Sequence, residues 1–371
     1  MIRSPLHSLQ VAGQSVWSDQ ISREMLDSGE LKRRMADDAV TGVTSNPTIF
    51  AKAITTGDDY DPQIGELARA GASPREVVAT LIADDLRRAC DLLRPVWERT
   101  EGRDGYVSVE VDPDLAHDTE ASVEEAREWV KRIDRPNLLV KIPATAEGIP
   151  AIRQLIGEGI SVNVTLIFSL TRYREVMEAY LAGLERFKAS GGNLERVASV
   201  ASFFVSRVDT EVDRRIDRSD DDRVKELRGT AAVANARVAY DEFLTTFRGP
   251  RWEALAASGA RVQRPLWAST STKDPAYSDI KYVESLVVPH TVNTMPLETI
   301  DAYQEHGPER PTVFGPEETA LARRTLRRLA EVGIDYDDVV QVLEAEGVAK
   351  FSESWHTLLD QVTAKVESLP H

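Results

Sequence analysis

Residues 138–143 read Leu-Leu-Val-Lys-Ile-Pro, a strand-length apolar run that one lysine interrupts. Leu138, Val140 and Ile142 share one face of such a strand, and Leu139 and Lys141 share the other. Near-continuous apolarity of this kind suits a parallel strand covered on both sides. Similar β-branched runs recur at 14–17, 42–44, 106–111, 161–167, 197–205, 265–268 and 285–288. Helical patterns fill the stretches between them. Ser73-Pro74 opens one that runs to Thr100. Ser122 and Glu125 have the spacing of a capping box ahead of Trp129. A third pattern covers 171–190 and stops at Gly191-Gly192, and a fourth covers 223–247. Alternating strands and helices form right-handed βαβ units. Eight such units predict an α/β chain folded as a single (β/α)8 TIM barrel over residues 1–371, with additional helices in 47–105 and 315–365. An open doubly wound sheet is the structural alternative.

Composition narrows the possibilities further. The 371 residues would allow two domains at about 150 residues each, but an α/β barrel takes up that length as one unit. The formal charge of −16 argues against a general nucleic-acid or anionic-membrane binder, both of which need clustered positive charge. It leaves room for a small anionic substrate held by one or two local cations. The only cysteine, Cys90, excludes an intramolecular disulfide framework and any cysteine-rich metal site. No apolar stretch of signal-peptide or membrane-spanning length occurs, so a cytoplasmic protein is expected. His7, His117, His290, His306, His356 and His371 lack metal-ligand spacing, and no glycine-rich phosphate loop or dinucleotide fingerprint occurs. Neither a metal nor a nucleotide cofactor is expected.

Polar residues recur where the predicted strands end. Asp19 follows the first and Ser45-Asn46 the second, and Glu110 lies near the end of the third. Lys141 lies near the end of the fourth, Asn163 and Thr165 in the fifth, Ser202 and Arg207 in and after the sixth. Ser269 and Lys273 follow the seventh. In a barrel these positions converge on the C-terminal rim, where barrel active sites lie. With its face turned inward, Lys141 has Glu110 and Asn163 on neighbouring strands. About one ordinary lysine in 2,500 is neutral at pH 7, and a water-poor barrel mouth favours the neutral, nucleophilic form. Such an amine attacks a carbonyl to form a Schiff base. Glu110 is placed to move protons while that bond forms, and Asp19 while the adjacent carbon–carbon bond is made or broken. Arg207 and Lys273, with the hydroxyls of Ser269 and Ser271, are candidates for a phosphate. Each has a plainer alternative: a snorkelling strand-end lysine, a structural ion pair for Glu110, a helix start for Asp19. For Arg207 the alternative is a salt bridge to Asp209, Glu211 or Asp213.

Taken together, five segments resemble the transaldolase family over most of the chain: 41–47 (TGVTSNP), 107–112 (VSVEVD), 138–145 (LLVKIPAT), 163–169 (NVTLIFS) and 202–207 (SFFVSR). The resemblance implies a Schiff-base barrel aldolase without metal or organic cofactor. It moves a dihydroxyacetone unit from sedoheptulose 7-phosphate to glyceraldehyde 3-phosphate, yielding erythrose 4-phosphate and fructose 6-phosphate. Lys141 matches the Schiff-base lysine, Glu110 the carboxylate acting through water, and Asp19 the acid/base of carbon–carbon cleavage. The context Trp17-Ser18-Asp19 departs from the commoner Ala-Asp-Thr. Asn46, Asn163, Thr165 and Ser202 match substrate- or water-binding positions. Arg207 matches the phosphate arginine, although Ser206 replaces a common glycine and Phe203 a common proline. Segment 267–273, with Ser269 and Lys273, fits a second phosphate-contact region loosely. The implied partners are sugar phosphates, with no nucleic acid and no membrane, and the implied state is a monomer or homodimer. A simple aldolase that releases free dihydroxyacetone, and a non-catalytic barrel that binds sugar phosphates, are the competing readings.

Overall fold

The computed structural model describes residues 4–368. Eight parallel strands close in sequence order: β1 (Gln14–Ser18), β2 (Val40–Val43), β3 (Val107–Glu110), β4 (Leu138–Pro143), β5 (Val162–Ile167), β6 (Ser199–Phe204), β7 (Arg264–Ala268) and β8 (Thr291–Met295). Pairing of β1 with β8 closes the ring, so the chain forms a (β/α)8 barrel and the open-sheet alternative falls. Extra helices span Pro47–Thr55, Asp61–Arg69 and Pro74–Arg99 before β3, and Pro316–Glu331 and Tyr336–Ser368 after the last βα unit. Among the described residues no helix is long and apolar enough to cross a membrane.

Three local expectations need correction. Segment 285–288 is not the eighth strand. Leu286, Val287 and Val288 are fully buried, yet they form a connection across the bottom of the barrel, where the Leu286 carbonyl accepts bonds from Gln14 and Trp267. The chain then turns at His290, whose φ is +60°, and enters β8. The Ser122–Glu125 pair does not cap its helix. Asp118 caps Thr119–Ile133 through the Ala121 amide, and Ser122 lies one turn inside, bonding the Leu115 carbonyl. The pattern over 223–247 is two helices, Asp222–Lys225 and Ala231–Thr246, separated at Gly229, whose φ is +69°.

The interior of the barrel is graded from bottom to top. Trp17 is fully buried in the lower part of the barrel, and only glycine fits beside it: a Cβ on Gly42 would sit 2.4 Å from the indole. Trp17 Nε1 donates to Asp104 (2.7 Å), which also accepts from Ser15 and Thr41, while Arg264 bonds Ser15 and lies over the indole. Above this plug the inner face becomes polar and reactive. The register pairs Glu110 with Lys141 and Lys141 with Asn163, so three polar side chains stand in one row across β3, β4 and β5. Next to that row β5 is irregular. Leu166 has φ +58°, a conformation few non-glycine residues adopt, and the pairing with β6 shifts between Val164 and Ile167. Bulges of this kind re-aim side chains beside active sites. Here the irregularity borders Thr165.

Candidate active site

The C-terminal ends of the strands open into a cavity of about 550 Å³. Asp19, Asn46, Lys141, Thr165, Ser202, Arg207, Ser269 and Lys273 line it directly. Glu110 and Asn163 form the layer beneath. Lys141 Nζ donates to Glu110 Oε2 and to the Ser45 carbonyl, each at 2.9 Å, with both side chains of the ion pair almost fully buried. Ser202 Oγ donates to Asn163 Oδ1 (2.7 Å), and Asn163 Nδ2 to Ser108 Oγ (3.0 Å). The Thr165 hydroxyl is buried with no partner in the protein, so its hydrogen-bonding capacity is left for something in the cavity. Asn46 caps the helix Pro47–Thr55 by accepting from the Ile49 amide (3.0 Å); its amide nitrogen remains for the cavity it lines.

The electrostatics separate the two carboxyls. Burial raises the Glu110 pKa, opposed by Lys141 and then Arg207. Asp19 faces the cavity but is otherwise enclosed. Burial, reinforced by Glu298, pushes it up to about 7 against the pull of Lys141 and Lys273. The Asp19 amide bonds the Met295 carbonyl on β8, and the following helix, Arg23–Asp27, starts after a Ser22 cap. Asp19 is therefore not a first-turn helix residue. Arg23 in turn pairs with fully buried Asp85 (3.0 Å), which also accepts from Tyr60 (2.7 Å), fixing the loop that follows β1.

Arg207 has none of the salt bridges that its acidic neighbours suggested. Asp209 accepts from Lys281 (3.1 Å), Tyr282 (2.9 Å) and the Ala232 amide; Glu211 holds Arg214 and Arg215; Asp213 accepts from Tyr277 (2.7 Å) and the Gly229 amide. These bonds tie the helix Ser206–Ile216 to the loop after β7 and leave Arg207 without an ion pair among the described residues. Its guanidinium stacks over Phe204 at 5.0 Å, and burial lowers its pKa. On the β7 side Ser269 has φ +55°, and its hydroxyl is 2.9 Å from that of Ser206. Lys273 is exposed on the rim.

The sequence reading did not anticipate one wall of the cavity. Leu343, Glu346, Lys350 and Phe351, from the helix Tyr336–Ser368, cover the mouth. Their buried companions Gly347, Trp355, Leu358 and Val362 follow a helical stripe, the one signal that this segment packs onto the barrel. A wider depression of about 1120 Å³ lies at the opposite end of the barrel. Of its four arginines, Arg94 is paired with Glu98, Arg135 with Asp91 and Arg261 with backbone carbonyls, while Arg196 is exposed to solvent. The buried lysine–carboxylate pair and a buried hydroxyl without a partner, that of Thr165, both lie at the C-terminal mouth.

A closed parallel barrel with a buried lysine–carboxylate pair at that mouth defines a (β/α)8-barrel enzyme. Comparison with known proteins specifies which. The family described as Transaldolase/Fructose-6-phosphate aldolase matches residues 16–362, and the chain belongs to it. It is 54% identical to a transaldolase of Saccharopolyspora erythraea, over 98% of both chains, and 54% identical to one of Thermobifida fusca with the same coverage. A transaldolase of Mycobacterium tuberculosis is 53% identical over 98% of this chain and 97% of its own length. Such enzymes are transferases.

Proposed function

We propose that the protein is a transaldolase that moves a dihydroxyacetone unit from sedoheptulose 7-phosphate to glyceraldehyde 3-phosphate through a Schiff base on Lys141. The observation that carries this reading is the buried Lys141–Glu110 contact of 2.9 Å facing a cavity that also holds Asp19 and an unpaired arginine. Glu110 takes the ammonium proton as Lys141 attacks the ketose carbonyl, and returns it through water as the carbinolamine dehydrates. Its raised pKa makes it a better base than an exposed carboxylate. The unpartnered hydroxyl of Thr165, with Asn163 and Ser202, supports that water. Asp19 removes the hydroxyl proton next to the bond that breaks, which leaves an enamine on lysine and frees the aldose. The enamine then attacks the acceptor aldehyde while Asp19 returns the proton.

Arg207 holds the substrate phosphate, with Ser269 and Lys273 beside it and Asn46 on the sugar hydroxyls. We place the reaction in the cytoplasm, in the non-oxidative pentose phosphate pathway, whose intermediates are sugar phosphates. We also read the chain as one domain, because one large hydrophobic cluster takes in buried residues from Leu6 to Val362.

The decisive experiment is borohydride reduction in the presence of fructose 6-phosphate. A three-carbon adduct on the peptide containing Lys141 is expected, and none in Lys141→Ala. Retained turnover with Lys141 unmodified would refute the mechanism.

A second measurement probes the phosphate site. Arg207→Ala removes a charge-assisted bond of about 1.5–3 kcal/mol, so the KM for phosphorylated substrates rises roughly 10- to 100-fold. Unphosphorylated dihydroxyacetone and glyceraldehyde are affected little. Equal losses for both substrate types would remove Arg207 from the phosphate site.

A further inference from the structure

The helix Tyr336–Ser368 supplies the wall of the mouth that the βα units do not. Gly347, Phe351 and Trp355 are spaced one turn apart and share a face. Gly347 passes so close to β5 that a Cβ would lie 3.0 Å from Leu166. Phe351 is 4% exposed, and its ring centre is 5.8 Å from Lys141 Nζ. Trp355 Nε1 donates to Asp112 Oδ2 (2.9 Å); Arg75 also pairs with Asp112, and its guanidinium lies 5.8 Å from the Trp355 ring. Ser354 is hydrogen-bonded to Thr48 at 2.7 Å. The helix is thus fastened to the segments that carry Asn46, Glu110 and Thr165, and between its fastenings it sets an aromatic ring over the reactive amine.

We propose that Phe351 is a specificity-determining residue that shields the lysine-bound three-carbon unit from solvent proton donors, so that the unit leaves on an aldose acceptor. This inference rests on the Schiff-base reading above. The enamine carbon has two fates. In transfer it bonds to the acceptor aldehyde carbon, the aldehyde oxygen takes a proton, and one water then cleaves the new ketose from lysine. In loss the same carbon takes a proton from solvent, the resulting iminium adds one water, and the carbon–nitrogen bond breaks to free dihydroxyacetone and the amine. Both routes use one water to release lysine. They differ in whether the carbon first meets an aldehyde or a proton donor. A benzene ring donates no proton and excludes the water that would.

The test uses the full-length enzyme with fructose 6-phosphate as donor and erythrose 4-phosphate as acceptor, in D₂O. The readout is the ratio of free, singly deuterated dihydroxyacetone to transfer product. That ratio is a property of each active molecule and does not depend on how much of a variant is folded. Phe351→Ala is expected to raise it roughly tenfold by admitting solvent, and Phe351→Leu, which keeps an apolar cover, by less than about threefold. Trp355→Phe, which loses the bond to Asp112, shifts it in the same direction. An unchanged ratio in Phe351→Ala, whatever its absolute rate, would overturn the inference. Borohydride trapping of the wild-type enzyme, run alongside, separates the two failures. Absence of an adduct would remove the Schiff-base reading itself; an adduct with an unchanged ratio would remove only the role of Phe351.

Discussion

Lys141→Met is expected to lower transfer by at least about 10⁴-fold, because the other lysines lining the cavity, Lys273 and Lys350, are exposed and have no buried carboxylate partner among the described residues to take up their proton. Coupled product assays against sedoheptulose 7-phosphate and glyceraldehyde 3-phosphate measure the loss. The substitution also has a physical signature that separates chemistry from misfolding. Removing the ammonium leaves Glu110 buried without its counter-charge, and an unpaired buried carboxylate costs about 3–5 kcal/mol unless it takes up a proton. Burial already raises the Glu110 pKa, and losing Lys141 raises it further. The folded variant therefore holds a proton that the unfolded chain releases above about pH 4.3. Its stability falls as the pH rises from there towards the folded-state pKa and then levels off, and because that pKa lies above the wild type's own raised value, the gap to wild type opens only above the latter. Lys141→Met should melt close to wild type at pH 5 and clearly lower at pH 8. The double variant Lys141→Met/Glu110→Gln should lose most of that pH dependence. Turnover above a hundredth of wild type in Lys141→Met would contradict the covalent role.

Asp19→Asn is expected to stop the reaction one step later. The lysine adduct still forms, since Glu110 serves that step, but cleavage lacks its base and kcat falls about 10²- to 10⁴-fold. Borohydride with fructose 6-phosphate should then trap a six-carbon adduct on Lys141 in place of the three-carbon one. With the Asp19 carboxyl pushed up to about 7, both its forms are populated near neutrality. Cleavage needs the carboxylate, so its rate rises as the pH passes upward through about 7. Bond formation needs the acid, so its rate falls over the same interval. Asp19→Asn should abolish both inflections. A three-carbon adduct formed at the wild-type rate would move the acid/base role to another residue.

The barrel was largely legible because its strands are covered on both sides and so stand out as apolar runs. That signal reports burial, not pairing, which explains the one misplaced strand. Leu286, Val287 and Val288 are as buried as any strand yet pair with none in the barrel. The true β8, Thr-Val-Asn-Thr-Met, is polar because Asn293 bonds Thr270 and Thr294 bonds Thr44 at the mouth. Capping was misread for a related reason. Ser122 has the right spacing to Glu125, but Asp118 lies four residues earlier and takes the amide first. The rim residues were accessible to sequence reasoning because each lies in its own strand or follows it within a few positions. Phe351, Lys350 and Glu346 reach the cavity only through docking of a distant helix. No local pattern tells an apolar stripe that covers a catalytic mouth from one that covers ordinary core.

The Trp17 floor, seated on Gly42 and fixed by Asp104, has a consequence for the order of traffic. A barrel plugged at its base is a room with one door, and the C-terminal helix narrows that door. On the proposed covalent route the first aldose leaves by the same mouth through which the second arrives. Between the two, that route leaves a three-carbon unit on Lys141. Excess acceptor aldehyde then competes with the donor for the empty room, so the flux depends on the proportion of the two sugars as well as on their amounts.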